Sequence, residues 1–94
     1  MATLFAKHSV DAFGAWKRVY DEFQAKRREM GVQGASVHRD VEDENVVTVI
    51  HRFADTDAAA AFAESEELKA AMDEAGVVGR PEIWITEDVE QTAH

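Results

Sequence analysis

Four β-rich runs and two segments of helical periodicity alternate along the chain, and their order restricts the fold more than any other feature of the sequence. The β-rich runs predict strands over Ala2–Val10, Ala35–Val41, Val46–Phe53 and Glu82–Glu87. One helix is predicted after the first run and another after the third, which gives the order β-α-β-β-α-β. That order is typical of the ferredoxin-like α+β fold, a four-stranded antiparallel sheet with two helices on one face. Right-handed crossovers then place the first and third strands side by side in the middle of the sheet.

The first predicted helix carries its large apolar side chains at helical spacing, and we interpret them as a core face: Phe13, Trp16, Tyr20 and Phe23. Gly31 is placed to end this helix through the left-handed conformation. The second predicted helix begins at Asp55 or Thr56 and is closed by Gly76.

The chain is short, with 94 residues and no cysteine, so we predict a single domain over residues 1–94. A domain of this size buries only about 60–65% of the surface that its unfolded chain exposes. Neither a disulfide nor a cysteine zinc site can reinforce it. Because two helices cover only one face of the sheet, the other face needs polar residues or a partner. We therefore expect a homodimer formed through the uncovered sheet face.

Charge and segment pattern exclude several classes of protein. The net charge of −9 disfavours binding to nucleic acid, and the one basic cluster, Lys26–Arg28, is too short to form a groove. No stretch approaches the ~18 apolar residues of a membrane span, and the N-terminus lacks the pattern of a signal peptide. We expect a cytoplasmic protein that binds neither nucleic acid nor a membrane.

Histidines lie on three of the predicted strands. If the hairpin closes around Glu42–Asn45, the numbers of opposite residues sum to 87, and Ser36 lies opposite His51. One sheet face would then carry a mixed set of side chains that could line a cavity: Ser36, His38, Val47, Val49, His51 and Phe53. His8 alternates with Leu4 on the first strand and is a plausible third imidazole of this face.

Three interpretations of these imidazoles stay open on the sequence alone. They are structural side chains in water or in hydrogen bonds, or polar anchors and acid/base groups in a cavity, or metal or haem ligands. A metal site has weak support, because the histidines are scattered over strands and lack a local ligand motif. Phe53 and Trp84 end their strands, where the mouth of a pocket could lie.

The chain resembles the dimeric α/β-barrel superfamily, which includes antibiotic-biosynthesis monooxygenase-like proteins, haem-degrading monooxygenases, small polyketide cyclases and stress-responsive barrel proteins. The resemblance rests on chain length, element order, and the segments "HRDVEDENVVTVIHRFAD" and "PEIWITEDVE". Members pair their sheets face to face as dimers and keep a cavity between sheet and helices. In the oxygenases of this group, an asparagine late in the first strand and a tryptophan late in the third frame the substrate. His8 and Phe53 stand near those positions, and the only asparagine here is Asn45, in the turn.

The resemblance implies a cofactor-independent enzyme that oxygenates or cyclises a small aromatic or polyketide-like compound. His51 is the candidate base, and His8 or His38 would polarise a substrate oxygen. The candidate substrate-binding residues are Phe53, Trp84, Ser36 and Val49. We expect no metal or other cofactor. The alternatives are a non-catalytic ligand-binding or stress-response barrel protein and, third, haem binding through a histidine.

Overall fold

A four-stranded antiparallel sheet with helices on one face forms the protein in the computed structural model, which describes residues 1–94. The strands are β1 (Ala2–Val10), β2 (Gly34–Arg39), β3 (Val46–Phe53) and β4 (Val77–Glu87), and they lie in the order β2-β3-β1-β4. The helices are α1 (Phe13–Glu22), α2 (Gln24–Glu29), α3 (Thr56–Ala63) and α4 (Glu66–Glu74). The predicted α+β fold and the central position of β1 and β3 are confirmed. None of the helices is long and apolar enough to cross a membrane.

Each of the two predicted helices is interrupted, so the element order is β-α-α-β-β-α-α-β. The second helix breaks because Ser65 takes an extended conformation and starts a new helix, its hydroxyl accepting the backbone N–H of Leu68 at 3.2 Å. Asp55 caps α3 as predicted and accepts the N–H of Ala58 at 2.8 Å. Gly31 and Gly76 have the positive φ angles that the predicted helix ends require.

The predicted register of the β2–β3 hairpin is wrong by one residue. Ser36 pairs with Ile50 and His38 with Thr48, so the numbers of paired residues sum to 86. The turn is longer than predicted because the Asp40 carboxylate accepts the backbone N–H groups of Glu42 and Asp43 at 3.0 and 3.2 Å. Strand β2 therefore ends at Arg39. A shift of one residue moves every β2 side chain to the opposite face relative to β3.

The inner face of the sheet, which the helices cover, holds the apolar core. One cluster of buried residues is centred on Leu4, Phe53 and Phe62, and a second on Trp16 and Val49. Along β3 the residues alternate as predicted, with Val47, Val49, His51 and Phe53 buried on this inner face.

The outer face of the sheet has no element packed on it. A row of side chains crosses all four strands on this face, from Ser36 through Ile50 and Phe5 to Trp84. The rings of Phe5 and Trp84 stack in parallel with centroids 5.2 Å apart, and Trp84 is 44% exposed. This leaves an aromatic patch open on one side of a small sheet.

Candidate functional site

The candidate site is a cavity between the inner face of the sheet and the helices, with a volume of about 50 Å³. Such a volume admits a few water molecules. Most of its walls are apolar, and four side chains bring a hydroxyl, imidazole or guanidinium group to it: His8, Tyr20, Arg27 and His51. The full set of lining residues is Leu4, Ala6, His8, Trp16, Val19, Tyr20, Phe23, Arg27, Val49, His51, Phe62, Leu68, Ala71, Met72 and Ala75.

His51 and Tyr20 form a hydrogen-bonded pair at one end of the cavity. The Tyr20 hydroxyl lies 3.2 Å from Nε2 of His51, while Nδ1 is buried without a partner. If Nε2–H donates to the hydroxyl oxygen, Nδ1 keeps a free lone pair and Tyr20 keeps its own proton to donate. In that tautomer the pair offers one proton acceptor and one proton donor to a ligand.

Arg27 adds a positive charge beside this pair. Its guanidinium carbon lies 3.7 Å from the centroid of the Tyr20 ring, and Nη1 donates a hydrogen bond to the Tyr20 carbonyl. The side chain is buried although it belongs to α2, a short and otherwise polar helix. The end of the cavity at His51 is therefore electropositive.

Burial shifts the pKa values of the three titratable groups that can exchange protons here. Burial and then the charge of Arg27 lower the pKa of His51 from 6.5 to about 4. Burial also lowers the pKa of His8 and raises that of Tyr20. At neutral pH both imidazoles are therefore uncharged, and the Tyr20 hydroxyl is protonated.

His8 lies at the far end of the same cavity. On β1 the residue opposite His51 is Leu4, so four residues separate His8 from that position, roughly 13 Å along the strand. Both ring nitrogens of His8 are buried without hydrogen-bond partners, and Trp16 lies against the ring with centroids 5.7 Å apart. The two histidines are too far apart to ligate one metal ion together. They place a polar group at each end of an apolar chamber.

The helix α4 forms the outermost wall of the cavity. Three of its side chains line the cavity and all are only half-buried: Leu68, Ala71 and Met72. No residue of α4 is fully buried, so displacing this wall breaks fewer apolar contacts than displacing the sheet.

The structure separates the residues that the sequence groups as one site. His8, His51 and Val49 line the cavity. Ser36 and His38 instead lie exposed on the outer face, where His38 Nε2 and the Ser36 hydroxyl are 2.9 Å apart, because the hairpin register is shifted.

The two predicted aromatic ligand contacts also lie outside the cavity. Trp84 alternates onto the outer face between Ile83 and Ile85. Phe53 is fully buried against Phe62, with centroids 5.5 Å apart, and belongs to the core beside the cavity. Asn45 has a structural role, since its side-chain oxygen accepts the N–H of Phe13 at the start of α1, at 3.2 Å.

A comparison with known families decides what kind of protein this is. The family model of antibiotic biosynthesis monooxygenases matches residues 6–74, which include the second half of β1, both hairpin strands and the helices that enclose the cavity. The chain belongs to the antibiotic biosynthesis monooxygenase family.

Solved structures with the same fold support the match to the family model. SnoaB, a cofactor-independent oxygenase from Streptomyces nogalater, is 14% identical with a TM-score of 0.80, covering 99% of this chain and 97% of SnoaB. A protein from Bordetella bronchiseptica described as an antibiotic biosynthesis monooxygenase is also 14% identical with a TM-score of 0.80, covering 95% and 97% of the two chains. One from Caulobacter crescentus is 23% identical with a TM-score of 0.75, covering 95% and 90%. At these identities the likeness shows the fold alone. No curated protein sequence matches the chain.

Two residues of the cavity, Tyr20 and Arg27, are not predicted as site residues from the sequence. From the sequence, Tyr20 is interpreted as part of the helix core, and Arg27 as part of a basic cluster too short to form a groove. A usable signal exists, because Arg27 continues the helical spacing of Trp16, Tyr20 and Phe23 onto the same face. A charged residue in register with an aromatic face indicates a buried charge.

The depressed pKa of His51 predicts that this monooxygenase-family protein loses stability in acid. The unfolded chain binds a proton at His51 near pH 6.5, whereas the folded protein resists protonation down to about pH 4. The stability that the uncharged His51 contributes is therefore present above pH 6.5 and is lost as the pH falls toward 4. We expect the contribution of His51 to the free energy of unfolding to drop by about 2 kcal/mol between pH 7 and pH 5. His8, whose pKa burial also lowers, adds to the loss in the same direction.

Urea denaturation followed by tryptophan fluorescence measures this loss. The variant His51→Gln should show a drop smaller by about 2 kcal/mol, because it has no titrating group at this position, and should keep the part that comes from His8. His38→Gln is the matched control, since His38 is exposed, and it should keep the wild-type pH dependence. Identical pH dependence in wild type and His51→Gln would contradict the assigned pKa.

Proposed function

We propose that the protein is a cofactor-independent oxygenase of a small aromatic, polyketide-like compound that carries a phenol or enol group. The observation that carries the proposal is the buried His51–Tyr20 pair, which lines an apolar cavity and has one imidazole nitrogen without a partner. Membership of the family and the fold shared with SnoaB, named as a cofactor-independent oxygenase, support the same reaction class. The ring of the compound would lie against Val49 and Trp16.

The first step is transfer of the phenol or enol proton from the substrate oxygen to Nδ1 of His51. A neutral imidazole is available for this because burial and the charge of Arg27 lower the pKa of His51 to about 4. The same low pKa makes His51 a weak base, so the substrate anion must be stabilised as it forms. The Tyr20 hydroxyl and the charge of Arg27 provide that stabilisation at the same end of the cavity. The anion in turn stabilises the protonated imidazole beside it.

The second step oxidises a ring carbon of the anion with dioxygen. The C–H group of the reacting carbon becomes a C=O group and keeps one oxygen atom. The other oxygen atom leaves as water, with the hydrogen from that carbon and with the proton that His51 took in the first step and now gives back. Carbon loses four electrons and dioxygen gains four, so no external reductant is required. The apolar walls exclude bulk water from the anion during this reaction.

Binding of a ring compound requires the cavity to widen. Its volume of about 50 Å³ is below the few hundred Å³ typical of sites for drug-sized ligands. The half-buried wall formed by α4 is the element that can move with the smallest loss of packing. We propose that substrate enters by displacement of this wall.

The functional unit is proposed to be a homodimer formed through the outer face. The row of Ile50, Phe5 and Trp84 is the apolar part of this face, and Lys7 and Glu82 flank it as a cross-strand pair. An isologous contact would bury this aromatic patch against its own copy. It would also supply the second layer that the single sheet lacks.

A non-catalytic ligand-binding protein is the second candidate. The small cavity volume favours it, as does the structural use of Asn45, the only asparagine, at the start of α1. Such a protein would bind the same class of compound without consuming oxygen.

An oxygen electrode distinguishes these functions. The purified protein is supplied with polycyclic aromatic compounds that carry phenol or enol groups, and their O-methyl ethers serve as controls because they have no acidic proton. The proposal predicts oxygen consumption and a carbonyl product with the free phenols only. A new ring without oxygen consumption would indicate a cyclase, and binding without turnover would indicate the non-catalytic protein.

A further inference from the structure

Arg27 is a buried positive charge without a negatively charged partner. Its side chain is only 6% exposed. The ion pairs of the structure join Lys17 to Asp21 and Lys26 to Glu29, so no carboxylate lies within ion-pair distance of the Arg27 guanidinium. A buried charge is costly unless it is paired or fully hydrogen-bonded. Within the chain, Asp21 is a carboxylate that favours this charge, and it acts from beyond ion-pair distance.

The internal contacts of Arg27 use few of its donors. A guanidinium has five N–H groups, and the structure gives one hydrogen bond, from Nη1 to the Tyr20 carbonyl. The ring of Tyr20 covers one face of the guanidinium. Arg27 lines the cavity and also a surface groove beside Gln33 and Gly34, so it stands at the boundary between the two. The guanidinium is thus held in place, and its other N–H groups have no acceptor within the chain, so they can bind an acceptor from outside it.

The electrostatic potential of the cavity favours an anion beside Arg27 and nowhere else. The chain carries a net charge of −9, yet no acidic side chain lines the cavity. The charge of Arg27 acts through an apolar interior, where it is screened less than in water. Its influence reaches the imidazole of His51, whose pKa it helps to lower. A negative oxygen placed there would be stabilised by the same potential.

We infer that Arg27 selects ligands that carry an anionic oxygen, as a carboxylate, phenolate or enolate, and binds that oxygen at the His51 end of the cavity. The inference rests on the proposed function, because it concerns the ligand of the same cavity. The apolar remainder of the ligand extends toward His8, whose unpartnered nitrogens suit a neutral oxygen.

A purely structural role for Arg27 makes a different prediction. Its hydrogen bond to the Tyr20 carbonyl satisfies the C-terminal turn of α1, where a positive charge also favours the helix dipole. Loss of that role would weaken the binding of charged and neutral ligands alike. Selection by charge is therefore the property to measure.

The test compares 2-naphthoate with 2-naphthamide, which have the same ring system and differ in charge. Isothermal titration calorimetry at neutral pH gives both dissociation constants for the full chain. We expect the wild type to prefer naphthoate by about tenfold or more, as charge-assisted hydrogen bonds are stronger than neutral ones. In Arg27→Gln this preference should disappear while the affinity for naphthamide changes by less than about twofold. Arg28→Gln is the matched control, because Arg28 is exposed and its loss changes the net charge equally.

Each outcome decides the inference. A preference retained in Arg27→Gln, or lost equally in Arg28→Gln, would overturn it. Equal affinities of the wild type for the two probes would overturn it too but leave the ligand-binding cavity intact. Binding of neither probe would overturn both the inference and the proposed function. If Arg27→Gln does not fold, NMR spectroscopy of the wild type tests the inference instead. The Arg27 Nε–H resonance should shift when naphthoate is added and should not shift with naphthamide; a resonance that shifts with neither or with both would overturn the inference.

Discussion

Replacement of His51 by glutamine is expected to lower substrate-dependent oxygen consumption by about 10²–10⁴-fold, the usual contribution of a positioned acid/base group. Glutamine retains an amide that can hydrogen-bond to the Tyr20 hydroxyl, 3.2 Å from the imidazole in the wild type. It cannot accept the substrate proton. Because the rest of the cavity wall stays in place, the loss should appear in kcat, with KM little changed.

The oxygen electrode measures this effect, with two histidine variants as comparisons. His38→Gln should keep the wild-type rate, because His38 lies on the outer face. His8→Gln should raise KM more than it lowers kcat, since His8 lies roughly 13 Å along the sheet from the His51 position. If the rate of His51→Gln is within a factor of about two of the wild-type rate, His51 does not act as the base in the reaction.

A negative charge in the aromatic patch is expected to convert the proposed dimer into a monomer. Trp84 stacks on Phe5 in the outer row and is 44% exposed in the single chain, so Trp84→Glu leaves the inner core untouched. In a symmetric dimer each subunit would bury one such carboxylate, and desolvating an unpaired charge is strongly unfavourable. We expect the dissociation constant of the dimer to rise by about 100-fold or more.

Sedimentation equilibrium at micromolar concentration measures this change. Val41→Glu is the matched control, because it introduces the same charge at an apolar residue that is 98% exposed in the β2–β3 turn. That variant should remain dimeric. A monomeric wild type, or a dimer unaffected by Trp84→Glu, would show that the outer face is not the interface.

The fold was predictable because its signals are local and agree with one another. Alternation along Val46–Phe53 predicts which of its side chains share a face, and the structure has His51 and Val49 on one face as expected. That this face lies under the helices did not follow from the alternation. Capping by Asp55 and the positive φ angles of Gly31 and Gly76 follow equally from residue type.

The relation between neighbouring strands was not predictable in the same way. The register of β2 depends on the hydrogen bonds that Asp40 makes within the turn, and one residue of difference carried Ser36 and His38 to the other face. The break of the second helix depends likewise on the local conformation of Ser65.

The positive charge in the cavity depends on tertiary packing. Lys26, Arg27 and Arg28 are adjacent and similar in sequence, yet only Arg27 is buried, because the turn at Phe23 brings its side chain against the ring of Tyr20. Composition does not distinguish Arg27 from its two basic neighbours, and only its helical spacing from Trp16 and Tyr20 does so.

A crystal structure of the protein with bound 2-naphthoate tests the assignment of the ligand site most directly. We predict that the carboxylate lies within hydrogen-bond distance of Arg27 and of Tyr20 or His51, with the rings between Val49 and Trp16 and the α4 wall displaced outward. A naphthoate bound on the outer face beside Trp84, with the cavity unchanged, would contradict the proposed site.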